Sequence, residues 1–313
     1  YSQLDMDAGL VGSSMAMMND AVASLANNFN GAKRDKTYHM VALAANSIFY
    51  FSKQIDIVVG ASQKNRAPTY YERFTWLPLG ITGGMADGFN YIGDLNLRHE
   101  TARKLEFGID YHSDGWTMSP RLFYQDIQDY IAGAPSTNVA ANAVSTMMSG
   151  RTPFQWANTD AVIKGADITI TGQLSEDITV QSVATIQHGN RDDIDDALFR
   201  IAPEQLTTHV QWHSTFYDVP VSLQLTSELN GSQNHVSELQ SEKSTAGYGL
   251  VHLSALWQLT PKLQITAKVN NTFDKDYAAH TAGINRVMNT TLPVGERVPN
   301  AGREWQLSIS YHL

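Results

Sequence analysis

Trp305-Gln306-Leu307-Ser308-Ile309-Ser310-Tyr311-His312-Leu313 carries apolar and polar residues in strict alternation. A period of two puts successive side chains on opposite faces of an extended chain, so this stretch reads as a strand with one apolar and one polar face. The same pattern recurs upstream. Leu263, Ile265, Ala267 and Val269 share a face opposite Gln264, Thr266, Lys268 and Asn270, and Val251, Leu253, Ala255, Trp257 and Leu259 repeat it. Further back stand Val219 to Leu225, Leu206 to Trp212, Ile178 to Ile186, Ala166 to Ile170, Leu122 to Tyr124, Leu105 to Tyr111, Ile55 to Val59 and Tyr38 to Tyr50. With Tyr1 to about Asp7 these make twelve strand candidates, several near the ten residues that a tilted strand needs to cross a bilayer.

The connections between them alternate too. Short turns fall near 51–54, 113–119, 174–177, 214–218 and 260–262, and long polar stretches near 9–35, 64–98, 131–158, 189–204, 227–246 and 274–301. A meander through a slab, with short turns on one side and long loops on the other, has this rhythm, and outer-membrane barrels share it. A soluble sandwich has equivalent ends and no reason to keep it. Phe49, Phe51, Tyr111, Trp116, Trp212, Phe216, Tyr217, Trp257 and Tyr311 lie near the short-turn ends, where amphipathic rings gather at a membrane interface. Ordinary core aromatics are the competing explanation for that feature alone.

Composition bounds the function. The 313 residues carry 22 Lys and Arg against 31 Asp and Glu, a net charge of −9, and no cysteine. The acidic balance speaks against a nucleic-acid partner, and without cysteine there is no disulfide, thiolate metal site or thiol nucleophile in the chain. The longest apolar run, Met40 to Ala45, is far short of a membrane helix. No nucleophile elbow, zinc-protease, P-loop or dinucleotide motif appears, so the expectation is a protein that is not an enzyme and needs no cofactor.

Four motifs bring a family into view. Arg66-Ala67-Pro68 with Tyr71-Glu72 resembles the "R-A-P-x-x-x-E" stretch of TonB-dependent outer-membrane receptors. Leu97-Arg98-His99-Glu100-Thr101 leading into Leu105-Glu106-Phe107-Gly108-Ile109 is similar to their "L-x-P-E-x-x-x-x-x-E-x-G" strand, with His99 where proline is common. Val269-Asn270-Asn271-Thr272-Phe273-Asp274-Lys275-Asp276-Tyr277 resembles "V-x-N-L-F-D-K-x-Y", with Thr272 in place of leucine, and Ala301-Gly302-Arg303 resembles the "P-G-R" entry to the last strand. Trp76-Leu77-Pro78 through Gly83-Gly84-Met85-Ala86-Asp87-Gly88 has the character of a proteobacterial subgroup. The resemblance spans nearly the whole chain, and Leu313 departs from the aromatic residue usual at its end. It implies an all-β, transmembrane antiparallel β-barrel in the bacterial outer membrane: about 12 strands of a 22-stranded plugged barrel, with residues 1–313 its C-terminal portion. The sequence opens at Tyr1 without an initiator Met or leader, so either a leader was cleaved or this is a piece of a longer chain, and the resemblance implies that the plug and about ten strands lie upstream. A complete twelve-stranded barrel carrying an enzyme or adhesin, and a soluble β-rich binding module, remain alternatives.

The same resemblance implies active transport of a scarce ligand, with a ferric siderophore or other iron complex first and copper, cobalamin, haem or a glycan as alternatives. The implied partners are outer-membrane lipid and lipopolysaccharide, the TonB energy-coupling complex acting through the missing plug, and the iron-complex ligand. In the loops, Arg66, Tyr70, Tyr71, Arg73, Phe74, Trp76 and Tyr91 combine cations with aromatic platforms suited to an anionic, aromatic chelate, and Arg286, Arg297 and Arg303 add cations in the last loop. Packing over the barrel mouth explains the same residues equally well. Met15, Met17, Met18, Met147 and Met148 are candidate soft ligands for Cu(I), against ordinary loop packing. The run Arg191 to Asp196 is a candidate for Ca²⁺ through clustered carboxylates, against a solvated or lipopolysaccharide-bridging acidic loop. Histidines 39, 209 and 252 are expected to face the lumen, 112, 213 and 312 to be solvated near short turns, and 188, 235 and 280 to lie in or beside long loops.

Overall fold

A computed structural model describes residues 1–12, 19–80 and 87–312. In chain order the elements are β1 (Ser2–Met6), α1 (Asp20–Gly31), β2 (Lys36–Met40), β3 (Ala42–Tyr50), β4 (Ile55–Arg66), α2 (Tyr70–Phe74), β5 (Tyr91–Ile92), β6 (Glu100–Ser113) and β7 (Trp116–Pro135). There follow α3 (Val139–Ser149), β8 (Phe154–Ser175), β9 (Ile178–Arg191), β10 (Asp196–Ala197), β11 (Gln205–Phe216), β12 (Val219–Asn230), β13 (Tyr248–Thr260), β14 (Leu263–Asn270) and β15 (Glu304–Tyr311).

The main sheet runs β3-β4-β6-β7-β8-β9-β11-β12-β13-β14-β15, every neighbour antiparallel, with two-residue β10 on β9 and β5 on β8 beside that path. Eleven strands therefore form the wall. The twelfth candidate, near Tyr1 to Asp7, is a strand but pairs with β2 in a separate two-stranded sheet. The segment from Tyr38 to Tyr50 is broken at Val41, whose backbone N–H donates to the Asn65 side chain at 2.9 Å instead of continuing a ladder.

Register turns the alternation of single strands into two continuous faces. Val59, Phe107, Leu122, Ala166 and Ile186 form one row across β4 to β9, and Val210, Leu225, Leu253, Val269 and Trp305 another across β11 to β15. On the opposite face Gln181, His209, Thr226 and His252 stand side by side. A face bearing Lys, Glu and His cannot meet hydrocarbon, so the apolar face is the lipid side and the polar face the lumen. Leu105, Leu122, Leu307 and Ile309 are accordingly exposed, as are Phe49, Phe51, Trp212, Phe216, Tyr217 and Tyr311 near the short-turn end.

The short turns are tighter than the sequence suggests. Two residues separate β6 from β7, β8 from β9, β11 from β12 and β13 from β14. Tyr217 and Asp218, at φ of 50° and 61°, take the left-handed pair that a type I′ turn requires.

The long connections are not open coil. Helix α1 is capped by Asn19, which accepts from Val22 N at 2.8 Å, and α3 by Asn138, which accepts from Ala141 N at 3.0 Å. Val22 and Leu25 of α1 pack on Ala141 and Val144 of α3 with Leu77 and Ile92 between them. A second cluster gathers Tyr91, Leu97, Ile131, Phe154 and Trp156. Such compact cores are found on the loop side of the wall, where apolar side chains have no lipid to meet and must bury against each other.

Candidate functional site at the loop-side mouth

Each long loop is fastened by buried polar groups. At the top of β4, Arg66 bridges two carboxylates: its Nε and Nη2 each donate to Glu100 at 2.7 Å, and its Nη1 donates to Glu72 Oε2 at 2.9 Å. Glu72 also completes a capping box with Thr69, and Glu100 accepts from Ile131 N at 2.8 Å. The Arg66…Glu72 and Glu100 motif positions are thus one ion-pair network that holds α2 against the strand ends.

Arg73 is 2% exposed, lies over the rings of Tyr38 and Phe74, and donates from Nε to Leu95 O at 3.2 Å. Burial pushes its guanidinium below the ordinary arginine value. Gly93 passes so close that a Cβ there would meet Arg73 O at 2.6 Å. Tyr91 is fully buried on Trp156, 4.6 Å between ring centroids, and donates to Asp87 Oδ2 at 2.5 Å. Its burial, with the Asp87 carboxylate beside it, raises the phenol above the usual tyrosine range. Gln240, from the loop between β12 and β13, donates to that same Asp87 oxygen at 3.0 Å.

That loop is the hub of the assembly. Asp196 accepts from Ser237 Oγ at 2.7 Å and from Glu238 N at 2.9 Å, which ties in β10. Glu242 accepts from Arg200 N and Ser237 N, both at 3.1 Å; His280 Nε2 lies 3.0 Å from its Oε1 and Arg297 Nη2 3.7 Å. Both Glu242 and His280 side chains are 1% exposed. Burial alone would raise the Glu242 carboxyl, but the hydrogen bonds from His280 and the two backbone amides outweigh it and hold the carboxyl below the ordinary glutamate range.

Beside this hub opens a cleft of about 410 Å³ whose lining includes Lys243, Tyr248, Lys275, Tyr277 and Arg297. Tyr248, on the lumen side of β13, packs its ring against that of Tyr277, 4.6 Å between centroids and tilted by 39°. Lys243 pairs with Glu296 at 2.8 Å. Two aromatic rings and three cations, with the carboxylates of Asp276 and Glu296 also in the lining, can hold a planar group that carries negative charge at one edge.

Of the residues singled out by sequence, Arg297 lies in this cleft, with its Nη1 turned to the carbonyls of His280 and Ala282. Arg66, Arg73 and Tyr91 are occupied in fastening, and Trp76 packs beside the α1–α3 cluster. Tyr70 donates to the Asp7 carbonyl and packs its ring at a tilt against Phe74, Tyr71 and Arg286 are exposed, and Arg303 Nη2 lies 3.8 Å from Asp274. Met147 and Met148 are exposed on the last turn of α3; Met15, Met17 and Met18 lie outside the described residues. Among the described residues no three His, Cys, Asp or Glu side chains gather to hold a metal. The acidic run is dispersed: Asp193 pairs with Arg191 at 2.8 Å while Asp196 turns to Ser237. His209 and His252 face the lumen, as their strand positions required. Lys243, Tyr248, Lys275 and Tyr277 were missed as site residues; Lys275 and Tyr277 stood in the sequence only as part of the "D-K-x-Y" motif.

An antiparallel wall with a lipid face, a polar lumen face, short turns at one end and interlocked loops at the other, open at its β3 and β15 edges, is part of the wall of a transmembrane β-barrel of the outer-membrane class. The chain belongs to the TonB-dependent receptor family: the family model for the TonB dependent receptor-like β-barrel matches residues 19–271. It is 26% identical over 274 residues to the ferrienterobactin receptor of Escherichia coli (strain K12), covering 82% of this chain and 36% of that protein. It is 25% identical over 309 residues to the vitamin B12 transporter BtuB of Vibrio vulnificus (strain YJ016), covering 92% of this chain and 44% of that one. The chain thus spans less than half the length of these relatives. Among solved structures, the copper transporter OprC superposes with a TM-score of 0.72 at 18% identity, over 90% of this chain and 42% of that one. The ferric enterobactin receptor PfeA of Pseudomonas aeruginosa gives 0.65 at 19%, over 89% and 41%. At such identities the superpositions establish the shared fold. The barrel is one of the bacterial outer membrane, and the family is one of transport receptors, not enzymes.

Proposed function

We propose that the chain forms the C-terminal part of the barrel of a receptor that captures a ferric siderophore and imports it with energy from TonB. In this reading residues 1–313 are barrel wall and loops, and a plug domain encoded upstream fills the lumen and receives the TonB contact. Ligand would be captured at the loop-side mouth and pass along the polar lumen face once the plug moves. No covalent step is involved.

The observation that carries the reading is the cleft of Tyr248, Tyr277, Lys243, Lys275 and Arg297 at the lumen mouth, built on loops that are bonded into one rim. The relatives named as ferric enterobactin receptors support an aromatic, anionic iron chelate over cobalamin or copper. Deleting the complete gene and following radiolabelled iron uptake tests it. Uptake of a ferric catecholate should fall to background and return with a plasmid copy. Unchanged iron uptake with loss of cobalamin or copper uptake would refute the iron assignment.

A further inference from the structure

We infer that Arg73 belongs to a binding site for a small free oxyanion, of the phosphate or sulfate class, built where three of the long loops meet. Arg73 is one of the largest fully buried side chains, yet it has no acid to pair with. Arg66, Arg191 and Arg297 each have a carboxylate oxygen close by, at 2.7, 2.8 and 3.7 Å. Among the described residues no carboxylate lies within 4.0 Å of Arg73, and its buried Nη1 has no acceptor. Its Nε is taken by Leu95 O, and Asp7, Asp35 and Asp94 act on it only from beyond ion-pair distance. A buried charge without a partner is among the costliest groups to place in a protein interior, and the rings of Tyr38 and Phe74 offset part of that.

A second cation deepens the deficit. Lys36 Nζ lies 5.1 Å from the centroid of the same Tyr38 ring and donates to two carbonyls, of Asn96 at 3.2 Å and Leu97 at 2.6 Å. Burial, with the Arg73 guanidinium beside it, lowers the Lys36 ammonium below the ordinary lysine value. Two neighbouring cations served by carbonyl dipoles leave a positive potential that an oxyanion complements, and the guanidinium keeps Nη1 and Nη2 to grip it.

The space and further donors are present. A hollow of about 190 Å³ is lined by Arg73, Asn28, Thr75, Asp94, Asn96 and Asn138. Liquid water takes about 30 Å³ per molecule, so a tetrahedral oxyanion fits with a few waters. The hollow is smaller than the roughly 300–1,000 Å³ typical of sites for larger ligands, which sets it apart from capture of a siderophore. Asn138 Oδ1 accepts from Ala141 N at 3.0 Å to cap α3, so its Nδ2 is the group left to donate. The side chains of Asn28 and Asn96 make no hydrogen bond among the described residues and add amide donors. Asp94 is the one acid in the lining, and its Oδ1 is engaged by Asn96 N at 2.8 Å. A bound oxyanion would tie α1, the chain after α2, the β5–β6 connection and the cap of α3 together.

The test is equilibrium dialysis of the full-length receptor in detergent against radiolabelled phosphate and sulfate, with chloride as competitor. The wild type should bind one oxyanion saturably, and chloride should compete at least tenfold more weakly. R73Q, which removes the charge, and N138D, which adds a carboxylate to the lining, should each weaken binding about tenfold. K53Q, on an exposed short turn, should bind like the wild type. N138D keeps an acceptor for the α3 cap, so it carries the comparison if R73Q does not assemble, judged by heat-modifiable gel mobility. Absence of saturable binding, chloride competing as well as sulfate, or an assembled R73Q or N138D that binds like the wild type would overturn the assignment and leave Arg73 a hydrated cation.

Discussion

Glu242 shows how much of the mouth rests on single residues. Its carboxylate is the shared acceptor for two backbone amides and neighbours His280 and Arg297, so loops from three connections meet on one buried charge. Removing one partner of a buried pair typically costs ~3 kcal/mol. E242Q should therefore accelerate hydrogen exchange at the Arg200 and Ser237 amides while leaving strand amides protected. The sign with pH follows from the lowered folded-state value: its stabilisation is full above the ordinary glutamate value of about 4.3 and is lost as pH falls through the lower folded value. Loop protection should thus hold from pH 7 to 5 and fail in stronger acid, and E242Q should abolish that dependence. At the cleft, K275A and Y277A should each weaken ferric-catecholate binding by about tenfold without changing the yield of folded barrel, as measured by fluorescence quenching on the full-length receptor. Sequence reading reached Arg66, Arg73 and Tyr91 but left ligand capture and loop packing equally open. An arginine near aromatics looks the same whether it binds a ligand or fastens a loop, and the deciding partners, Glu100 for Arg66 and Gln240 for Tyr91, lie 34 and 149 positions away.

At the scale of elements, the strands were legible because their two solvents differ, and the period-two contrast is the direct imprint of lipid on one face and water on the other. Leu253 faces lipid mid-wall and Gln224, one strand away, faces the lumen. Leu253→Arg should cost about 2–4 kcal/mol in barrel stability by urea titration in detergent or lipid, while Gln224→Arg should cost less than 1. Helices α1 and α3 were not legible: each is short, its apolar positions are few, and it is stabilised by the other helix and by Leu77 and Ile92, not by a strong amphipathic pattern of its own. The break at Val41 was hidden for a related reason. It depends on Asn65 of the neighbouring strand replacing a ladder bond, which no pattern within 38–50 reveals.

For the whole molecule, low hydrophobicity and an acidic balance describe a barrel wall as well as a soluble globule, since alternate strand residues face water and the loops dilute the apolar band. What separates the two is the sidedness of the sheet, and everything proposed about capture and transport depends on it. Residues 1–313 contain no cysteine, so once any cysteine elsewhere in the full-length receptor is replaced, single cysteines can be placed at each position from Val251 to Trp257 and spin-labelled in the receptor reconstituted in bilayers. Collision rates with oxygen, which concentrates in lipid, and with a water-soluble nickel chelate then report each side chain's solvent. The structure predicts strict alternation, with oxygen favoured at 251, 253, 255 and 257 and the chelate, or protection from both, at 252, 254 and 256. Uniform chelate access along the segment, or the opposite phase, would contradict it.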